Sequence, residues 1–155
     1  MSQPEAPDVT LTREQMHAHA QAWIAAWNRR DVEAVLSAFA DHARFRSPIA
    51  LQVTGCATLE GRPAIEAYWQ EALGRIERLE FRLLAAICDE PGQRMVVHYE
   101  ATLGDATRRA CEIFVFRGGL KVEAEALYGD TVALPGGGAA GASEAAAPVS
   151  GMAKR

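Results

Sequence analysis

The chain has 155 residues, 49% of them hydrophobic, and a formal net charge of −4. That length suits one domain with a core of its own, without disulfide or metal staples. The acidic balance excludes an electrostatic footprint for nucleic acid, and no apolar run in the sequence reaches the length of a membrane span.

Cys56, Cys88 and Cys111 are an odd count at scattered spacings, which reads as free thiols in a reducing compartment. The opening stretch holds Pro4, Glu5, Pro7 and Asp8 and lacks the basic start and apolar run of a secretory signal. The expected location is cytoplasmic.

Residues 1–11 are expected to form a flexible arm. Thr12-Arg13-Glu14-Gln15 matches a capping box and predicts a helix start. Met16, Ala20, Trp23, Ile24 and Trp27 follow at helical spacing, and Asn28 ends the helix. Asp31 caps a second helix whose buried face is Val32, Val35, Leu36 and Phe39. Ala43 to Ser47 reads as a short strand stopped by Pro48, and Ile49 to Gly61 as a loop or hairpin around Gly55. Arg62-Pro63 opens a third helix with Ile65, Tyr68, Trp69, Ala72 and Leu73 on its apolar face. Four strands follow, over residues 79–88, 94–103, 108–117 and 120–128. From Ala133 the chain is Ala, Gly, Ser and Pro with almost no large apolar residue, a composition that predicts a disordered tail.

Helices first and antiparallel strands last predict an α+β domain, residues 12–132, in which a twisted meander wraps around three helices like a cone. The mouth of such a cone is a natural ligand site. Counting outward from each turn gives the register. The Gly118-Gly119 turn sets Glu112 opposite Glu125, the turn at residues 104–107 sets Tyr99 opposite Glu112, and the loop at 89–93 sets Leu83 opposite Tyr99. The row Leu83, Tyr99, Glu112, Glu125 then crosses one face, which also carries Phe81, Ala85, Ile87, Met95, Val97, Phe114 and Phe116. Glu123 shares that face nearer the turn.

The stretches "WIAAWNRRDVEAVLSAFADHARFRSP" (residues 23–48), "GRPAIEAYW" (61–69) and "CEIFVFRGGLKVEAEALYG" (111–129) together resemble the nuclear transport factor 2-like superfamily, especially its SnoaL-like, polyketide cyclase-like branch. The resemblance implies a cone-shaped α+β barrel, a curved and mainly antiparallel sheet around a mostly apolar pocket, and a homodimer formed through the outer sheet face. The superfamily holds ketosteroid isomerase, scytalone dehydratase, polyketide cyclases and many non-catalytic binding or dimerisation domains. Ketosteroid isomerase carries its catalytic Asp just before the proline of the stretch similar to "FADHARFRSP"; this chain has Ser47 there.

Two carboxylates about 5 Å apart repel by roughly 3 kcal/mol at an effective dielectric near 20, enough to keep one protonated near neutral pH. Glu112 and Glu125 are therefore the candidate catalytic acid and base, with Tyr99 donating to the ionised member. Trp27, Phe45, Tyr68, Trp69, Phe114 and Glu123 are the candidate ligand contacts. No phosphate loop, dinucleotide fingerprint or His pair at ligand spacing appears, so neither cofactor nor metal is expected. The reading is a small-molecule pocket protein performing cofactor-independent isomerisation, cyclisation or dehydration on a small apolar substrate. The alternative is a non-catalytic ligand-binding or dimerisation module.

Overall fold

In the computed structural model, residues 9–132 are described. The expected arm up to residue 8 and the expected tail from residue 133 lie outside the described residues. Thr12 opens α1 (Arg13–Asn28) through the capping box: its hydroxyl accepts from the Gln15 amide at 3.2 Å, and the Gln15 side chain accepts from the Thr12 amide at 2.8 Å. Asp31 caps the short α2 (Val32–Leu36) with its carboxylate alone, which accepts from the Ala34 amide at 3.0 Å. Phe39, read from the sequence as the end of that helix, instead begins β1 (Phe39–Arg46).

The segment read as a loop or hairpin after Pro48 holds α3 (Pro48–Thr54) and β2 (Thr58–Glu60). Ser47 is the reason. Its hydroxyl accepts from the amides of Ile49 and Ala50 at 3.1 and 3.5 Å, and Pro48 occupies the first helical position. Gly55, at φ 81°, ends the turn in the left-handed region. Then come α4 (Arg62–Arg75), β3 (Leu79–Asp89), β4 (Arg94–Leu103), β5 (Ala106–Arg117) and β6 (Leu120–Thr131).

The strands form one sheet in the order β2-β1-β6-β5-β4-β3, antiparallel throughout except for the parallel β1–β6 pair. This is the expected α+β cone, with the helices on the concave face of the curved sheet. Trp23 on α1 anchors that packing. Its ring lies 5.1 Å from Tyr99, 5.5 Å from Phe114 and 5.7 Å from Phe81, on three different strands. Side-chain hydrogen bonds tie the helix ends to the sheet. Asn28 donates to the Phe81 carbonyl and accepts from its amide at 2.9 and 2.7 Å. The Arg30 guanidinium donates to the carbonyls of Ile76 and Glu77 beyond the end of α4. No helix among the described residues is long and apolar enough to cross a membrane.

The register departs from the predicted one in ways that reorder the inner face. β5 turns into β4 through two residues, Leu103 facing Ala106, so Glu112 faces Val97 and Tyr99 faces Ala110. That slip is two residues long, so Glu112 keeps its inward direction. Between β5 and β6, Phe116 faces Lys121 but Phe114 faces Ala124, so β6 carries one extra residue at this point. This bulge turns the rest of β6 over. Ala124, Ala126 and Tyr128 point inward, while Glu123 and Glu125 point outward beside Val115 and Ile113. A second bulge, between Leu83 and Ala85, keeps Leu83 opposite Tyr99 as expected but turns Ala85 and Ile87 to the outside.

Candidate functional cavity

The concave face encloses a cavity between the sheet and helices α1 and α4. Trp23, Trp27, Phe45, Tyr68 and Trp69 form its aromatic wall. The centre of a water molecule can move through about 60 Å³ of it, or on the order of 200 Å³ of molecular volume once a water radius is added on every side. That suits a molecule of one or two rings. Ile76, Leu79 and Leu103 extend the apolar lining, and the polar lining consists of Tyr68, Tyr99, Tyr128 and Glu112. The indole N–H of Trp27, edge-on to Trp69 at 5.1 Å, has no hydrogen-bonding partner among the described residues.

The polar groups gather because of what lies beside them on the strands. Ala110 on β5 is flanked by Tyr99 on one side and Tyr128 on the other. Its methyl leaves room for the two phenols to meet over it. Glu112, two residues along on the same face, stands between Val97 and Ala126. Its carboxyl makes no hydrogen bond and no ion pair among the described residues, although the residue is 4% exposed. Burial is therefore the main influence on it. It pushes the Glu112 pKa up to about 8, against the pull of Lys121 and with a small push from Glu125. At neutral pH this carboxyl is mostly a neutral acid able to donate a hydrogen bond. The phenols respond alike. Burial first, then their neighbours Tyr128 and Glu112, hold Tyr99 well above the ordinary tyrosine range. Burial and Glu112 do the same to Tyr128. Burial raises Tyr68, with Ser47 opposing it.

Lys121 was missed in the site reading, although counting from the Gly118-Gly119 turn already sets it opposite Phe116 on the inner face. It is 1% exposed. Its ammonium lies 3.9 Å from the centre of the Phe114 ring and 5.3 Å from that of Phe39. Burial pulls its pKa down to about 7, with Glu112 opposing. Tyr128 was missed too, and no sequence signal pointed to it, because only the bulge in β6 turns it inward.

Of the predicted row, Leu83 and Tyr99 face each other and Glu112 shares their face. Glu125 does not: it is half-buried on the outer face, next to Ile113 and to Arg46 of β1. The expected facing pair of carboxylates is therefore replaced by an acid, Glu112, and a base, Lys121, on one face. Trp27, Phe45, Tyr68 and Trp69 line the cavity as expected. Phe114 lies beneath Trp23 and Lys121 rather than on the cavity wall. Glu123 is an outer residue 3.9 Å from Arg44. No three His, Cys, Asp or Glu groups among the described residues come together as a metal site.

Comparison with known proteins places this architecture. No curated protein matches the chain. A SnoaL-like protein of unknown function from Burkholderia thailandensis is 32% identical, over 77% of this chain and 98% of its own, with a TM-score of 0.69. A putative ketosteroid isomerase from Kribbella flavida is 19% identical over 85% of this chain and 88% of its own, with a TM-score of 0.61. TerC, crystallised with polyporic acid, is 18% identical over 74% of this chain and 91% of its own, at 0.64. The last two show likeness of fold. The SnoaL-like domain family matches residues 20–124, and the chain belongs to it.

Proposed function

We propose that this protein binds a small, largely apolar molecule in the cavity and performs cofactor-independent acid–base chemistry on it: isomerisation, cyclisation or dehydration. One observation carries the reading. Glu112 is a buried carboxyl without a hydrogen bond or ion pair, on the wall of an apolar cavity, beside three phenols. A group so placed is expensive for stability and useful for proton transfer. In the neutral form Glu112 donates to a carbonyl oxygen of the substrate. In the ionised form it takes a proton from the adjacent carbon, while the Tyr99 and Tyr128 hydroxyls donate to the developing oxyanion. Neutral Glu112 with neutral Lys121 and ionised Glu112 with charged Lys121 hold the same number of protons. A bound carbonyl compound can therefore select either form with no net change in the number of protons held. A putative ketosteroid isomerase and a protein crystallised with polyporic acid share the fold, which supports a ring compound as ligand.

The test is deuterium uptake. Small cyclic ketones are incubated with the protein in D₂O and washout at the carbon next to the carbonyl is followed by NMR. Glu112→Gln should slow washout by about a hundredfold or more and change ligand affinity only a few-fold. Equal washout by both proteins would sink the catalytic reading.

A second reading, a non-catalytic ligand-binding or dimerisation module, is favoured by Ser47. The side chain at the place of the isomerase's acid is occupied in capping α3, and Glu125 supplies no second carboxyl to the cavity. Under this reading the wild type binds ketones without any washout. A homodimer through the outer sheet face suits the exposed Ile87 and Leu127, and sedimentation velocity decides it. Three free cysteines fit the cytoplasm.

A further inference from the structure

Trp23 has a second cavity on its far side. A groove runs between α1, α2 and the start of β6, and by the same water-centre measure it holds about 440 Å³, more than the ligand cavity. Its walls are made of small apolar residues, chiefly Ala22, Ala25, Ala26 and Ala34, with Leu120 exposed at one side. Its polar lining is His19, Arg29, Ser37 and Lys121, and no acidic residue lines it. This is a basic groove in a chain whose net charge is −4.

Lys121 distinguishes it from an ordinary surface cleft. The side chain is 1% exposed, and its ammonium has no hydrogen bond and no ion pair among the described residues. The faces of Phe114 and Phe39 answer part of its charge, and Glu112 acts on it only at longer range. A buried ammonium given only ring faces still lacks an anion. His19, half-buried on α1, sits edge-on to Phe116 at 5.3 Å. Burial and Lys121 both hold its pKa down, so it presents a neutral imidazole rather than a competing cation. Arg29 has only a distant partner, Asp31 at 3.9 Å, with both groups largely in water.

We propose that this groove binds a small organic carboxylate. The carboxylate head pairs with Lys121 at the floor and with Arg29 at the rim, and the apolar body lies along the alanine wall and Leu120. The proposal does not rest on the chemistry assigned to Glu112, which lines the other cavity and not this one.

The experiment is calorimetric titration of the full chain with hexanoate, with hexanamide and inorganic phosphate as controls, and NMR to locate the bound probe. Hexanoate should bind saturably and shift the signals of His19, Ala25 and the Trp23 indole. Lys121→Met should weaken it about tenfold or more, the usual scale for losing a charge-assisted pair. Ala25→Leu, on an exposed stretch of α1, should block the groove without touching the core. Several results would overturn the proposal: no saturable binding, hexanamide binding as tightly as hexanoate, or phosphate alone binding as tightly. So would Lys121→Met retaining full affinity, or shifts that gather at Trp27 and Trp69 in the other cavity.

Discussion

Glu100 and Glu112 are carried by neighbouring strands of one sheet, and they differ in which side they face. Glu100, on the outer face of β4, is held between Arg82 at 2.9 Å and Arg109 at 3.2 Å. Glu112, on the inner face of β5, meets Val97 and Ala126 across the ladder and no cation within ion-pair range. The outer carboxylate has its charge matched in partial contact with water. The inner one has its charge answered only at a distance, by Lys121, in a mostly apolar cavity. Environment rather than residue type separates a surface ion pair from a group fit to move protons. The difference between the faces can be measured at four points, which rank by the size of the expected effect.

The aromatic anchor comes first. Trp23→Ala removes the ring that touches three strands and should destabilise the fold by roughly 3–5 kcal/mol, read as a lower denaturant midpoint. Ile87→Ala on the outer face, where the side chain is 62% exposed, should stay within about 0.5 kcal/mol. A larger loss at Ile87 that grows with protein concentration would blur the contrast, because it would mean that a second copy covers the outer face.

The buried acid comes next. A carboxyl whose folded pKa is raised favours folding fully below its unfolded value near 4.5 and loses that advantage as pH rises toward about 8. Glu112→Gln is free of that loss. It should match the wild type at pH 4 and exceed it by on the order of 3 kcal/mol at pH 7. Lys121 has the opposite sign. Its unfolded form keeps the proton up to about 10.5, whereas the folded form sheds it near 7. Its cost is greatest below pH 7 and fades as pH rises through that window. Lys121→Met should therefore stabilise the protein at pH 6 and make little difference at pH 11. Parallel stability–pH curves for wild type and both variants would show that neither group is perturbed, and the contrast between the faces would collapse.

The inward direction of Glu112 was legible in the sequence, and so were the capping box, three of the four helices and most strand limits. Alternation along β5 carried the direction, and it survived an error in the turn length because that error was an even number of residues. Glu125 was not legible. Its face depends on one extra residue in β6, where the strand leaves the hairpin and begins to pair with β1: Phe39 faces Lys121, and the next pairing is Arg44 with Glu123. The parallel partner comes from the far end of the chain, so no count from the local turn can find that bulge. Helix α3 is the reverse case. The Ser47-Pro48 start signal stands in the sequence, but Pro48 equally marks the end of a strand and Gly55 the centre of a turn, which reads as a loop or hairpin.

The smallest effect is the outer carboxylate itself. Glu100→Gln removes two ion pairs, but Arg82 and Arg109 have side chains 62% and 49% exposed. Water and salt already weaken what they contribute, so the expected loss is about 0.5–1 kcal/mol in low salt. It should fade in 1 M salt, where the screening length falls to about 3 Å. The Glu112→Gln gain should persist there, because mobile ions do not enter a buried cavity. Salt is thus the sharpest separation of the two glutamates. If Glu112→Gln lost its advantage in 1 M salt as Glu100→Gln loses its deficit, Glu112 would be in contact with solvent, and the shielded acid on which the proposed proton transfer depends would not exist.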